Sequence, residues 1–247
     1  MKSKERKPSE KSLHQAGSTV IKLQKHLPEF VYGGIDGSVT TFAVVAGASG
    51  AHLDSSVIII LGFANLIADG FSMSVGGYLA AKTEREKFAR HQSIEYWEIE
   101  NMPELEREEI REIYRQKGFD GDLLEQVVNK ITEDNDRWVD VMMKEELEMI
   151  KETKSPFQIG LVTFISFLIM GFIPLMVYLT DFFISLSIQL FTTSAILTAI
   201  GFLMIGYLKS IVNHTSAVKS IFETLLLGGA AALLSYYVGS FLEKLVG

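Results

Sequence analysis

The chain has 247 residues, 48% of them hydrophobic and 21% charged, with a formal net charge of −7 and no cysteine. The missing cysteines exclude disulfides and thiolate metal sites, and the acidic balance excludes the basic footprint that nucleic acid requires of a partner. The apolar residues collect in long runs free of Lys and Arg, while most charges fall in one middle block. That is the pattern of a membrane protein with a water-soluble insertion.

Residues 1–28, opening MKSKERKPSEKSLHQAGS, read as a basic, polar leader. No short apolar core with a small-residue cleavage site follows, so no signal peptide is expected. Val20–Leu27 suits a short amphipathic helix lying on the membrane. The first span is expected over about Glu29–Ala51, rich in Gly, which lets helices approach closely in lipid. His52, Leu53 and Asp54 form a tight turn, and a second span follows over about Ser55–Ala81. These two spans and their flanks make up residues 29–82.

Residues 83–154 form the insert. It holds 21 Asp or Glu against 12 Lys or Arg, so it carries about −9 alone. The pattern predicts three amphipathic helices, Glu84–Glu100, Pro103–Lys117 and Gly121–Glu152. Pro103 suits a helix N-terminus and Gly118 a stop. Residues 155–247 then carry the last three spans. The third runs over about Pro156–Leu179, kinked at Pro174 and turned back by Thr180 and Asp181. The fourth covers about Phe182–Tyr207 and the fifth about Lys219–Phe241. The expected fold is an all-α integral membrane protein with five transmembrane helices and a three-helix cytoplasmic insert.

Charge asymmetry sets the expected orientation. The leader, the insert, the loop over 208–218 and the span ends facing them hold 22 of the 23 Lys and Arg. The positive-inside rule then places the N-terminus and the insert in the cytoplasm and the C-terminus outside. The short termini point to the cell membrane of a microbe, with a vacuolar membrane as the alternative that keeps the same side cytoplasmic.

Charged groups in lipid are costly, so they are functional or paired. Asp36 lies in the first span and Asp69 in the second. At the rise of an α-helix, Asp36 stands roughly 10 Å and Met73 roughly 13 Å above the cytoplasmic ends of their spans, at one level. Asn65, Asp69 and Met73 recur every four residues and share one helix face. Carboxylate, amide and thioether form a ladder for a divalent transition metal. The bland alternatives are an Asp36-Gly37 step capping a broken helix, Met73 as core packing and Asn65 as an interhelical hydrogen-bonding residue.

The insert contains two Glu-x-x-Glu pairs, Glu95/Glu98 and Glu106/Glu109. Each pair lies on one helix face and converges on a cation. Met142 and Glu146, four apart, suit closing the same site. Like charges stacked in this way repel, and a bound cation relieves them. Carboxylates with Met sulfur suit Fe(II) or Mn(II) better than Mg(II) or Ca(II). The competing expectation is a solvated acidic face with Arg107, Arg111 and Arg115 as salt-bridge partners.

The segment Gly34–Asp36–Gly37–Ser38–Val39–Thr40–Thr41–Phe42–Ala43, continuing to Gly47 and Gly50–Ala51, resembles the first-span signature of the vacuolar iron transporters. Ser72–Met73 before Gly76 and Tyr78 is similar to that family's second span, and the layout of five spans with an insert after the second also matches. The resemblance covers about residues 29–245. It implies a homodimer with its pathway at the dimer interface, moving Fe(II), and often Mn(II), out of the cytoplasm by proton antiport. It implies Asp36 and Met73 as intramembrane ligands. Glu95, Glu98, Glu106, Glu109, Met142 and Glu146 become the cytoplasmic collecting site.

Two departures stand out. Several members carry Glu where this chain has Met143, and Glu145, adjacent to Glu146, points about 100° away from it on a helix. The family's second span reads Gly-Glu-Tyr, and here it reads Gly76-Gly77-Tyr78. Asp69 meanwhile stands where the family has a small residue, which suggests a relay ligand or proton carrier that replaces the lost charge.

The expected function is therefore a secondary transporter, not an enzyme, with Fe(II) or Mn(II) as substrate and no prosthetic group. Its expected partners are metal ions, protons, the lipid bilayer and a second copy. No P-loop is present to couple ATP. One rival is a membrane-anchored di-iron ferroxidase. Such bundles use Glu-x-x-His, and the insert's only histidine, His91, has Phe88 three residues before it. The other rival is a non-transporting protein with an acidic docking surface.

Overall fold

The structure is a computed structural model, and it describes residues 25–246. The leader up to residue 24, with most of the expected surface helix, lies outside the described residues. The described residues form eight helices and no strand. They are α1 (Leu27–Gly50), α2 (Ser55–Asn101), α3 (Pro103–Gln116), α4 (Gly121–Thr132), α5 (Asn135–Glu145), α6 (Pro156–Ile184), α7 (Leu190–Asn213) and α8 (Ala217–Val246). Five of them, α1, α2, α6, α7 and α8, are long and apolar enough to cross a membrane.

Several boundaries differ from the sequence reading. No break separates the second span from the first insert helix, because α2 runs unbroken to Asn101. Between Tyr78 and Asn101 there is no Gly or Pro, and strong helix formers carry the backbone across the change of solvent. The helix expected over Gly121–Glu152 is instead two helices, α4 and α5, and it ends at Glu145. Asp134 makes the break: its side chain accepts the Arg137 amide at 2.8 Å and caps α5. The insert is thus not three helices but the end of α2 followed by three short ones. The reversal expected at Thr180–Asp181 falls later, at Ser185, whose φ is 54°. Asp181 Oδ1 accepts the Leu186 amide at 2.8 Å and closes that end.

The chain divides into two compact units. One comprises residues up to Tyr78 together with Phe157 onward. Within it α1 is innermost: half of its apolar window is buried, against 11% for α8. Glycine makes this possible. A Cβ on Gly37 would meet the backbone of Phe167 on α6, and one on Gly239 the backbone of Gly47. Backbones therefore touch where side chains would hold them apart. Ser194 Oγ donates to the Pro174 carbonyl at 2.7 Å, tying α7 to the proline turn of α6. The α1–α2 turn rests on His52, whose φ is 51°.

The other unit is Leu79–Pro156. It has its own apolar core of Ile99, Ile110, Leu124, Val128, Ile131, Trp138, Val139, Met142 and Met143.

Candidate metal site

In the Leu79–Pro156 unit, α2 ends at Asn101 and α3 starts at Pro103. Met102 alone makes the corner. Its amide donates to the Glu98 carbonyl at 2.6 Å, and its carbonyl accepts the Glu106 amide at 3.2 Å. This reversal brings the two Glu-x-x-Glu pairs together. One carboxylate oxygen from each of Glu95, Glu98 and Glu106 lies within 4.8 Å of the others.

The helical register explains why these acids are buried. Glu95 and Ile99 are four apart, as are Glu106 and Ile110, and both isoleucines are core residues. Each glutamate therefore continues the inward stripe of its helix. Glu95 and Glu106 are each 3% exposed, and the Oε2 of each is buried without a hydrogen-bond partner. A buried acceptor left bare costs about 1–3 kcal/mol, and more when charged.

The electrostatics follow from burial and crowding. Burial, then repulsion by Glu146, Glu98 and Glu109, pushes Glu95 from 4.5 to about 7. Burial, then Glu109, Glu98, Glu95 and Glu146, pushes Glu106 to about 7 as well. Glu109 is raised by burial and Glu98, and Glu146 by burial, Glu109 and Glu98. The structure thus brings five of the expected insert residues into one electrostatic group.

The α3 arginines do not neutralise them. Arg107 donates to Thr132 Oγ1 at 3.1 Å and to Asn129. Arg111 Nε donates to Glu125 Oε1 at 2.6 Å, and its guanidinium also pairs with Glu108. Arg115 pairs with Glu112. Helix α3 is therefore two-faced, with ion pairs on one side and bare carboxylates on the other.

Met142 is fully buried in the apolar core with Ile99 and Ile110, and Met143 lies in the same core. Glu145, two residues after Met143, is ion-paired with Lys117. The sequence reading missed the corner residue Met102; the signal available was Pro103, which fixes where α3 must start.

In the membrane-spanning unit, α1 passes Asp36 without a break, so the Asp36-Gly37 step does not cap a broken helix. Asp36 is half-buried, and Thr40 Oγ1 donates to its backbone carbonyl at 2.9 Å. Asp69 on α2 lies close enough to Asp36 for the two carboxylates to repel. Asn65, one turn before Asp69, has a buried Nδ2 with no hydrogen-bond partner. Met73, one turn after, packs against the core of Phe42, Leu66 and Phe167. A Cβ on Gly77 would meet only Ile159 Cγ2, at 3.6 Å.

The VIT family model matches residues 27–240. A protein named vacuolar iron transporter 1 from Tulipa gesneriana is 34% identical over 209 residues, covering 84% of this chain and 83% of its own. Its namesake in Arabidopsis thaliana is 33% identical over the same length, covering 84% and 82%. A vacuolar iron transporter from Toxoplasma gondii is 33% identical over 224 residues, covering 88% and 74%. The chain belongs to the VIT family, and its five long apolar helices make it an integral membrane protein.

Proposed function

We propose that this chain carries Fe(II), and Mn(II) on the same ligands, out of the cytoplasm in exchange for protons. The observation that carries this reading is the group of buried carboxylates. Two have oxygens without partners, and no neighbouring arginine of α3 answers them. Such a group concentrates cations, and burial with mutual repulsion is relieved when a divalent ion enters. The relatives named as iron transporters support iron as the cargo.

In this reading the insert faces the cytoplasm and collects the ion at Glu95, Glu98, Glu106, Glu109 and Glu146, with Met142 as the soft ligand. The ion then passes to Asp36 and Met73 in the membrane. Asn65 and Asp69, on one face of α2 with Met73, act as the relay. Protons arriving at the carboxylates release it on the far side. Two copies form the working unit. A stripe of exposed small residues on α2, Ala64, Ala68, Ser72, Gly76 and Ala80, supports close packing of a second copy. The ion is cargo, and no prosthetic group is required.

Flux through purified protein in liposomes tests this with Fe(II), Mn(II), Co(II) and Zn(II), at varied pH on each side. The expected result is Fe(II) and Mn(II) uptake that depends on a proton gradient and is lost in Asp36→Ala. Fe(II) oxidation without flux would establish the ferroxidase, and neither activity would leave an acidic docking protein.

A further inference from the structure

The five carboxylates come from three places: Glu95 and Glu98 on α2, Glu106 and Glu109 on α3, and Glu146 just past α5. The first four are set by the one-residue corner at Met102. Glu146 has no such constraint. It is exposed, caps the end of α5, and is followed by an irregular segment in which Glu148 has a φ of 51°. Its place is set by where α5 ends.

Helix α5 is tied to both carboxylate-bearing helices by polar contacts, one at each end. At its start, Tyr96 Oη donates to Asp136 Oδ1 at 2.6 Å. Tyr96 directly follows Glu95 on α2. At its finish, Lys117 Nζ pairs with Glu145, the residue before Glu146. Lys117 caps α3 and lies over the Tyr114 ring, 5.1 Å from its centre. Between the two ties α5 buries Trp138, Val139, Met142 and Met143 in the core, with Val141 packed against it. Apolar packing holds the helix against the core, but it is non-directional. The polar ties join its start to α2 and its finish to the end of α3.

Resting on the metal-collecting reading above, we propose that α5 is a clamp. Tyr96–Asp136 and Lys117–Glu145 are positioning pairs that hold Glu146 on the site, and Glu145 is not a ligand. A charge pair of this exposure supports an effect of roughly two- to fivefold, and the phenol–carboxylate bond one of about five- to tenfold.

The test is Mn(II) titration calorimetry on the purified full-length protein, with protons released per ion read from buffers of different ionisation enthalpy. The variants are Tyr96→Phe, Lys117→Glu, Glu145→Lys, the double swap of Lys117→Glu with Glu145→Lys, and Glu146→Gln. Each of the first three should weaken binding by those factors, with the number of ions and the protons released per ion unchanged. The double swap should return affinity to within about twofold of the starting protein. Glu146→Gln should lower both affinity and proton release. A swap that fails to restore binding, or a Glu145→Lys variant that loses an ion or releases fewer protons, overturns the clamp. So do single variants that bind as tightly as the starting protein. If the unaltered protein binds no Mn(II), the collecting site itself falls; if it binds and the variants match it, only the clamp falls.

Discussion

Replacing Glu95 by Gln should make the metal-free insert more stable at pH 8 and the metal-loaded insert less stable. In the folded chain the Glu95 carboxyl lies near 7, against an ordinary 4.5. A carboxyl raised on folding contributes stability that is fully present below pH 4.5 and lost as pH rises through 7. Raising it this far penalises the charged form by roughly 3 kcal/mol. Water and salt at the open rim, where Glu146 is exposed, screen that to about 1–2 kcal/mol. Gln keeps the shape and removes the charge, so that penalty disappears. With a divalent ion bound, the same substitution removes a ligand charge instead, and the sign reverses.

The assay is chemical unfolding of the full-length protein at pH 5 and pH 8, with and without Mn(II). The reporter is tryptophan fluorescence, since the only two tryptophans, Trp97 and Trp138, both lie in the Leu79–Pro156 unit. The unaltered protein should lose stability from pH 5 to pH 8 without metal and recover it with metal. Glu95→Gln should flatten both responses. Metal-free stability that rises with pH, or a variant that unfolds more easily than the unaltered protein at pH 8 without metal, would refute the electrostatic reasoning.

Mn(II) affinity should rise with pH by up to about tenfold per proton displaced for each pH unit up to 7, and level off above it, as calorimetry across pH 5.5–8.5 would show. Asp69→Ala should cut Fe(II) uptake into liposomes about tenfold, the loss of one ligand charge at about 1.4 kcal/mol; unchanged uptake and pH dependence would remove Asp69 from the path. Gly77→Glu should fold normally, because a Cβ there meets only Ile159 Cγ2 at 3.6 Å, and should restore part of the uptake lost in Asp69→Ala. Gly37→Ala should destabilise the membrane-spanning unit by about 1–3 kcal/mol, because its Cβ would meet the Phe167 backbone; thermal unfolding in detergent checks this.

The five apolar helices are legible in the sequence because a run of this length, free of Lys and Arg, is soluble only in a bilayer. Their ends are less so. Hydropathy stops the second span where lipid gives way to water, but a helix stops for backbone reasons, and none occurs before Asn101. The break between α4 and α5 hinges on Asp134, one acidic residue among many, whose capping role shows only once the Arg137 amide is seen on it. Asp181 is a true turn signal, but the turn itself comes one helical turn later, since its carboxylate reaches forward to Leu186.

The acidic site is legible in its spacing and not in its charge balance. Arg107, Arg111 and Arg115 alternate along the sequence with the cluster acids, so sequence distance offers them as partners. What removes Arg107 and Arg111 is α4, which supplies Asn129, Thr132 and Glu125, while Arg115 pairs with Glu112 on α3 itself. Glu95 and Glu106 are left at core positions, where apolar residues would fold more easily. Burial and mutual repulsion raise Glu95, Glu106, Glu109 and Glu146 together, and the arginines of α3 are paired elsewhere. Met143 extends the apolar core that seats α5, while Glu145, two residues on, faces Lys117 in an ion pair.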